Sequence, residues 1–589
     1  MCGIFYYEAI GIGLSGKRIS TTLLHALQQN FAKISHRGPD NSRFVVAGQR
    51  CMGFHRLAVN GLTATGDQPF DLLGCELVCN GEIYNHRALI ETHGLTCVGG
   101  SDCEVIVHLY QLFGGDMCAT LRELDGVFSL VLIDRERDLV HIARDPFGVR
   151  SLYIGSSSDY DRDISVASEM KALQHCGHVE QFPGGCFMTL SKQCDGDGDN
   201  ATHAANATNT TNRFVSHLQS YYKCIRMDET QDVPYIYNFG TASLDDVTSS
   251  PAALEASACA SVRALFESAV RKRLMSERPV GCLLSGGLDS SIVTALVVKA
   301  QAPGAVVDTY AIGLEGSVDL KWARRVSEYL GTRHHEVCLT EQQFLDAIDA
   351  TIYQIESYDT TTVRASVGNY LVSKYIYDNT DNVVIFCGDM SDEIFGSYRG
   401  FTKAPSDHEF ARENTRMVRD VRCFDLLRSD KSISGAGLEA RVPFADKAFL
   451  EFVMSLPPWM KRFGDGAEHA VEKHLLRTAF EGLLPEDVMW RRKEAFSDGV
   501  SGHDRTWVQI IQEYADKRVS DVETELQKFK HNAPYDKESY YYRTIFAQCF
   551  PGKGRAETIP YFWRHPFCEG VLDPSARLLK DVYVAENQG

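Results

Sequence analysis

The sequence predicts an α/β protein of two domains, and three observations carry that reading. The chain has 589 residues, too many for a single hydrophobic core. Residues 2–190 read as many short strands with a few helices, whereas from about residue 254 strands alternate with helices, which implies a parallel sheet covered by helices. Between the two, residues 193–212 shift to Asp, Gly, Asn, Thr and Ala, a composition that builds no core and reads as a flexible connection. The expected division is therefore 2–190, a variable stretch over 193–253, and 254–580.

Taken in order, Leu23, Leu24, Leu27 and Phe31 fall at helical spacing within residues 22–34. Residues 127–134 (Val-Phe-Ser-Leu-Val-Leu-Ile-Asp) and 139–143 (Leu-Val-His-Ile-Ala) read as paired strands around the polar turn 135–138. Residues 213–253 are open to packing on either domain. Val262, Leu265, Phe266, Ala269 and Val270 make one apolar helix face. Residues 280–284 read as a buried strand, followed by a glycine-rich turn and a helix over 290–300. Further strands are expected at 306–312 and 382–386, and beyond about residue 400 the pattern is mostly helical, with no internal repeat.

Composition narrows the class of function. Hydrophobic content of 44% and charged content of 23% are ordinary for a soluble globular protein. A net charge of −18, with no long basic run, repels nucleic acid and anionic membrane. No stretch approaches the roughly 20 apolar residues of a spanning helix, and the start lacks the pattern of a signal peptide. The 18 cysteines are scattered, often inside apolar runs such as Ile385-Phe386-Cys387, which fits reduced thiols and a cytoplasmic location. No Cys-x-x-Cys pair is present, so a cysteine zinc site has little support. Asn200, Asn206 and Asn209 head glycosylation-type triplets; without a secretory signal they read as an unmodified polar linker.

Cys2 follows Met1, so removal of Met1 would leave a thiol and a free α-amine on one residue. An α-amine of pKa about 7.7–8.0 is partly unprotonated at neutral pH and can take the proton of the nucleophile beside it. A thiolate that attacks an amide needs an oxyanion hole and a clamp for the substrate's charged ends. Asn80 and Gly81 place a side-chain amide beside a glycine N–H; alone, such a pair is more often a turn. Arg56 has the fork to hold a carboxylate, although a lone Arg is usually a surface ion pair. Asp102 can hold an ammonium, although its ordinary reading is a turn acid.

Residues 284–291 (Leu-Ser-Gly-Gly-Leu-Asp-Ser-Ser) follow a strand and open a helix. That context suits phosphate: backbone N–H groups and the helix N-terminus face the anion, and Asp289 can hold Mg²⁺. The lysine of a Walker motif is absent.

These residues together resemble two known domains in tandem. The first is the class II glutamine amidotransferase domain, carried by Cys2, the Ser-His-Arg-Gly-Pro-Asp string at 35–40, residues 55–59, 80–85, 144–150 and the Ser-Glu-Met-Lys string at 168–171. The resemblance implies an N-terminal-nucleophile αββα sandwich. It makes Cys2 the nucleophile and Asn80 and Gly81 the oxyanion hole. Arg56, Leu57, Ala58, Val59, Asn60, Glu82 and Asp102, with Asn80 and Gly81, would line the glutamine pocket. Glutamate and ammonia are the implied products.

The second is the synthetase domain of the glutamine-hydrolysing asparagine synthetases, in their eukaryotic-like branch. It is carried by the strings at 284–291, 358–366, 391–396, 437–444, 472–477, 492–499 and 573–577. The Ser-Gly-Gly-x-Asp-Ser loop resembles that of ATP pyrophosphatases. The resemblance implies attack of aspartate on the α-phosphorus of ATP, giving β-aspartyl-AMP and pyrophosphate, then displacement of AMP by ammonia. It assigns Leu283, Ser285, Gly286, Gly287, Asp289, Ser290, Ile312, Cys387 and Gly388 to ATP, Asp289 and Asp392 to Mg²⁺, and Lys493 to charge on the phosphates. Thr361, Thr362 and Arg364 would bind aspartate or the adenylate, and relatives suggest a homodimer.

One loop departs from the pattern. The family reads Ser-Gly-Glu-Gly-Ser-Asp-Glu where this chain has Cys387-Gly388-Asp389-Met390-Ser391-Asp392-Glu393. The family's Glu serves as a base toward ammonia, and Asp389 is one methylene shorter. Met390 replaces a glycine, which adds strain if the position has positive φ. Two other readings follow: a β-lactam-synthetase-type enzyme, which the presence of Cys2 argues against, and a relative with an impaired synthetase half acting as a glutaminase or a regulatory pseudoenzyme.

Overall fold

The computed structural model describes residues 1–9, 19–157, 163–191, 218–222, 226–227, 234–235, 250–520 and 528–575. The glycosylation-type triplets, the connection 193–212 and residues 576–577 lie outside the described residues. The chain divides into two compact units, Met1–Lys223 with Gly552–Arg555, and Cys224–Pro551 with Ala556–Gly589. Arg555 ties its segment to the first unit through bonds of 2.9 Å to the carbonyls of Leu173 and Cys176.

The first unit holds β1 (Gly3–Ala9), α1 (Thr21–Ala32), β2 (Asn41–Ala47), β3 (Arg50–Arg56), β4 (Phe70–Leu72), β5 (Cys75–Ile83), α2 (His86–His93), α3 (Val105–Leu112), α4 (Met117–Glu123), β6 (Gly126–Asp134), β7 (Leu139–Arg144), β8 (Tyr153–Ser156), β9 (Asp163–Ala167), β10 (His178–Gln181), β11 (Cys186–Ser191) and β12 (Leu218–Ser220). They form two six-stranded antiparallel sheets, β10-β8-β9-β1-β3-β2 and β12-β11-β7-β6-β5-β4. In β6, Val131 and Ile133 join the core between the sheets, with Ile4, Tyr6, Phe54 and Ile142. The alternate residues Phe128, Leu130 and Leu132 pack instead with Leu89 of α2, Ile106 and Tyr110 of α3 and Leu121 of α4. A strand buried on both faces reads as a continuous apolar run, which is why this one is legible in the sequence. Phe31 of α1 covers Phe5 and Phe44 on the far face of the other sheet, completing the αββα order. Strand β12 places residues 218–220 on the edge of the second sheet, and Tyr221 donates its hydroxyl to the Arg144 carbonyl at 2.8 Å.

The second unit opens with the short ladder β13 (Arg226–Met227) and β14 (Pro234–Tyr235). Helix α5 (Pro251–Lys272) follows, its N-terminus capped by the Ser250 side chain. Then come β15 (Val280–Leu283), α6 (Leu288–Ala300), β16 (Asp308–Leu314), α7 (Val318–Leu330), β17 (Arg333–Leu339), α8 (Glu341–Asp346), α9 (Ile348–Ile355), α10 (Thr360–Asn379), β18 (Val384–Phe386), α11 (Ser391–Phe395), α12 (Asp407–Asp420), α13 (Asp425–Ser434), β19 (Glu439–Arg441), α14 (Lys447–Ser455) and α15 (His474–Ala479). The parallel sheet runs β17-β16-β15-β18-β19. Its order reverses at β15, whose neighbours are β16 on one side and β18 on the other. A crevice opens beyond the C-terminal ends of strands at such a switch point, and ligands of open α/β sheets bind there. Strands β17 and β19 are polar (Arg-His-His-Glu-Val-Cys-Leu and Glu-Ala-Arg) and lie at the sheet edges, so no apolar run announces them.

Candidate active sites

Strand β1 begins one residue after Cys2, and its pairing of Gly3 with His55 puts Cys2 beside the end of β3. There the Leu57 N–H donates to Cys2 Sγ at 3.4 Å, and the thiol in turn donates to the Leu57 carbonyl at 3.6 Å, which fixes the sulfur at the end of β3. The N-terminus is pinned from below. Arg37 donates its Nε to the Cys2 carbonyl at 3.0 Å and pairs with Glu169 at 2.7 Å, and Lys171 meets the other Glu169 oxygen at 2.5 Å. All three are fully buried. Burial would raise the Glu169 pKa, but Lys171, His36 and Arg37 outweigh it and hold the carboxyl well below its usual range. The strings at 35–40 and 168–171 therefore act as the mount for the N-terminus. Met1 itself is buried, its sulfur 2.7 Å from Arg150 Nη1.

Cys2 packs against the core between the sheets, which includes Val78. Asn80 lies two residues further along β5 and shares that face. Its side chain is fully buried, with neither the amide nitrogen nor the amide oxygen hydrogen-bonded. Such a group costs about 1–3 kcal/mol unless a ligand satisfies it. Gly81 must be glycine, because a Cβ there would lie 2.3 Å from the Val127 carbonyl oxygen. Around this point Asn60 donates to Glu82 at 2.7 Å, Asp102 accepts from Ile83 N–H at 2.6 Å, and the Ala58 N–H donates to Asp40 at 2.7 Å, holding the Leu57–Asn60 loop. Val59 is buried in the same loop. Arg56 is already partnered: its fork holds Asp67 at 2.5 Å, the Thr63 carbonyl at 2.8 Å and the Gly61 carbonyl. A substrate carboxylate would have to share that guanidinium.

In the second unit a cleft opens at the switch point. Leu283, Ser285, Gly287, Asp289, Ser290, Ile312, Cys387 and Gly388 line it. Gly286 has φ +71°, and its carbonyl accepts from Arg491 at 3.2 Å. A Cβ on Gly388 would come within 2.7 Å of the Ser290 nitrogen, so glycine lets the loop after β18 close onto the start of α6. The two loops meet at Lys473, whose ammonium lies 2.6 Å from Asp289 and 2.5 Å from Asp392. Lys493 also pairs with Asp392. Burial would lower the Lys473 pKa, yet the two carboxylates raise it; burial would raise that of Asp392, yet the two lysines lower it. Two carboxylates and two ammonium groups gathered in one cleft suit a polyanion and its counter-cation. The string at 472–477 contains Lys473, but nothing local in the sequence marks its pairing, because its partner Asp289 is 184 residues away.

Two expectations need correction. Arg364 does not face the cleft. It is buried and forks onto Glu538 (2.6 and 2.8 Å) and Asp573 (2.9 and 3.0 Å). Thr362 also turns away, donating its hydroxyl at 2.8 Å to Asp359, the cap of α10. The face of α10 toward the cleft carries Thr361, Ala365, Asn369 and Val372, and the buried Thr361 hydroxyl has no partner. Helix phase explains both: 361, 365 and 372 share a stripe from which 362 and 364 are excluded.

The departing loop is well resolved in its consequences. Asp389 faces the cleft, pairs with Arg428 at 2.7 Å and accepts the Ser429 hydroxyl. Met390 has φ +76°, so the expected strain, of order 1 kcal/mol, is present, and its side chain is buried.

Fold and sites define the class: a two-part enzyme scaffold, an amidotransferase with an N-terminal nucleophile joined to a nucleotide-binding parallel-sheet unit of the ATP-pyrophosphatase type. Comparison with known families agrees. The family described as glutamine amidotransferase domain matches residues 1–184, and asparagine synthase matches residues 261–420 and 402–566. Glutamine-hydrolysing asparagine synthetases of Gallus gallus (40% identical, over 98% of this chain and 99% of that one), Cricetulus griseus (41%, 93% and 94%) and Homo sapiens (40%, 93% and 94%) are similar over nearly the whole length. The chain belongs to the asparagine synthase family.

Proposed function

We propose that this chain makes L-asparagine from L-aspartate, glutamine and ATP, releasing glutamate, AMP and pyrophosphate. The carrying observation is the convergence of Asp289 and Asp392, from two loops at the switch point, on the single ammonium of Lys473. It supports a triphosphate site in a chain whose other unit begins with a seated thiol.

Once Met1 is removed, the Cys2 amine takes the thiol proton and the sulfur attacks the glutamine amide carbon. The carbon–sulfur bond forms, the oxyanion is stabilised by the Asn80 amide and the Gly81 N–H, and the carbon–nitrogen bond breaks as the leaving nitrogen regains the proton. Water then cleaves the thioester to glutamate. Glu82, Asp102 and Arg56, with the loop Leu57–Asn60, hold the substrate's charged ends.

In the second unit an aspartate β-carboxylate oxygen attacks the α-phosphorus and pyrophosphate leaves. Ser285, the backbone of Gly286 and Gly287, Ser290 and the start of α6 cradle the departing group. Leu283, Ile312, Cys387 and Gly388 seat the nucleotide, and Lys493 balances phosphate charge. The two carboxylates are the hard oxygen donors that Mg²⁺ takes, so Asp289 and Asp392 would hold it, where it offsets phosphate charge. Of Thr361, Thr362 and Arg364, Thr361 is the one that meets aspartate, because it alone lines the cleft. Ammonia attacks the acyl carbon, AMP leaves, and Asp389 accepts the proton. Among the described residues no helix is long and apolar enough to cross a membrane. The described cysteines are all free, which supports a cytoplasmic setting.

The test is incubation with glutamine, aspartate and Mg-ATP. Asparagine and pyrophosphate in equal amounts are expected; glutamate release alone would instead mark an impaired synthetase half.

A further inference from the structure

Helix α10 brings into the nucleotide cleft a polar group that the proposed reaction does not use. Asn369 lines the cleft between Ala365 and Val372 of the same helix and is only 5% exposed. The Ser373 hydroxyl donates to its backbone carbonyl at 2.7 Å, but the Asn369 carboxamide has no hydrogen-bond partner among the described residues. Asn is a poor helix former, and inside a helix its side chain tends to bond nearby backbone. Burying a carboxamide without a partner is costly. An interior Asn that keeps donor and acceptor uncommitted at the wall of a cleft is placed to meet a ligand.

Its position selects which part of the ligand it meets. Thr361, at the amino-acid end, lies eight residues earlier on α10, about 12 Å along the helix axis. Beside Asn369 the walls are apolar: Tyr310, Ala311 and Ile312 of β16, Ala365 and Val372 of α10, and Phe496. Gly368 lets these walls close, because a Cβ there would come 3.0 Å from Phe496 Cζ and 3.6 Å from Ile312 Cγ2. The Tyr310 hydroxyl is already engaged, accepting from Asn382 Nδ2 at 2.6 Å and donating to Thr380 Oγ1 at 3.3 Å. Apolar walls carrying an uncommitted carboxamide suit a heteroaromatic ring with polar atoms on its edge.

We infer that Asn369 reads the nucleobase: its carboxamide oxygen accepts from the 6-amino group of adenine, and its nitrogen donates to N7. A carboxamide sets an acceptor beside a donor. That is the complement of the amino group and N7 of adenine, whereas guanine presents two acceptors, O6 and N7, on the same edge. Asn369 is thus a specificity-determining residue for the base, alongside Leu283, Ile312, Cys387 and Gly388, which seat the nucleotide. The inference rests on the reading of the cleft as an ATP site and names how that site chooses its nucleotide.

The test is equilibrium binding to the full chain, with Mg²⁺, of ATP and two analogues: purine riboside triphosphate, which lacks the 6-amino group, and 7-deaza-ATP, which lacks N7. The natural chain is expected to bind ATP about 10-fold more tightly than either analogue. Asn369→Leu keeps the shape of the side chain and removes both polar atoms. It is expected to weaken ATP binding by about the same factor and to bind all three nucleotides alike, with KM for aspartate unchanged. No discrimination in the natural chain, discrimination that survives in Asn369→Leu, or a raised KM for aspartate in place of weakened ATP binding would each overturn the inference. If Asn369→Leu does not fold, Asn369→Ala decides it by the same comparison. Asparagine formation without discrimination on the base overturns this inference alone; absence of ATP binding overturns the reading of the cleft with it.

Discussion

Asp389 and Arg428 form an ion pair of 2.7 Å at the floor of the nucleotide cleft, and the neighbouring Ser429 hydroxyl donates to the second Asp389 oxygen. A carboxylate one methylene shorter than its family counterpart is thus oriented by two side chains from α13. Asp389→Asn is expected to lower asparagine formation by about 10²–10⁴-fold with either glutamine or ammonia, leaving glutamate release unchanged. Asp389→Glu must displace the Ser429 contact and is expected to be slower than the natural enzyme. A faster Asp389→Glu enzyme would show that this loop is impaired rather than adapted.

Cys2→Ala is expected to abolish glutamine use while ammonia-dependent synthesis continues. Asn80→Ala removes one oxyanion donor and is expected to slow glutamine hydrolysis about 10²–10³-fold. Intact mass must show loss of Met1 in active protein, because a retained Met1 blocks the amine. Steady-state assays with each nitrogen donor check all three.

Arg364 serves stability. Arg364→Ala leaves the buried Glu538, and Asp573 beside it, without their cation, and is expected to cost about 3–5 kcal/mol. Urea unfolding measures this. A raised KM for aspartate at an unchanged urea midpoint would return Arg364 to a binding role.

Acid should weaken the first unit through three histidines. Burial lowers His55, His141 and His175 from 6.5 to about 4 each. Each is neutral in the folded state and charged in the unfolded state between those values, so the unfolded chain binds more protons there. Stability is fully present above pH about 6.5 and falls as pH drops toward 4, by about 1.4 kcal/mol per pH unit per histidine. Urea midpoints between pH 7 and pH 4.5 check this, and His141→Gln should flatten the slope by one proton.

Local chemistry was legible in the sequence and long-range pairing was not. The glycine-rich turn between β15 and α6, the doubly buried β6 and the leading Cys2 announce themselves within a few residues. Asn80 and Gly81 are recognisable as a pair, yet only the fold turns Asn80 to the face where Cys2 packs. The Arg37–Glu169–Lys171 mount and the Lys473 bridge each join residues far apart in the chain, and no periodicity encodes them. Arg364 misleads because it lies three residues from Thr361. Such neighbours share a helix face approximately, and in α10 the cleft falls on the Thr361–Ala365 side.

The most direct measurement follows oxygen. Aspartate labelled with ¹⁸O in its β-carboxylate, incubated with the processed chain, glutamine and Mg-ATP, should pass one labelled oxygen to AMP for each asparagine formed. Unlabelled AMP, or ADP and phosphate in its place, would contradict acyl-adenylate formation in the cleft where Asp289, Asp392 and Lys473 meet.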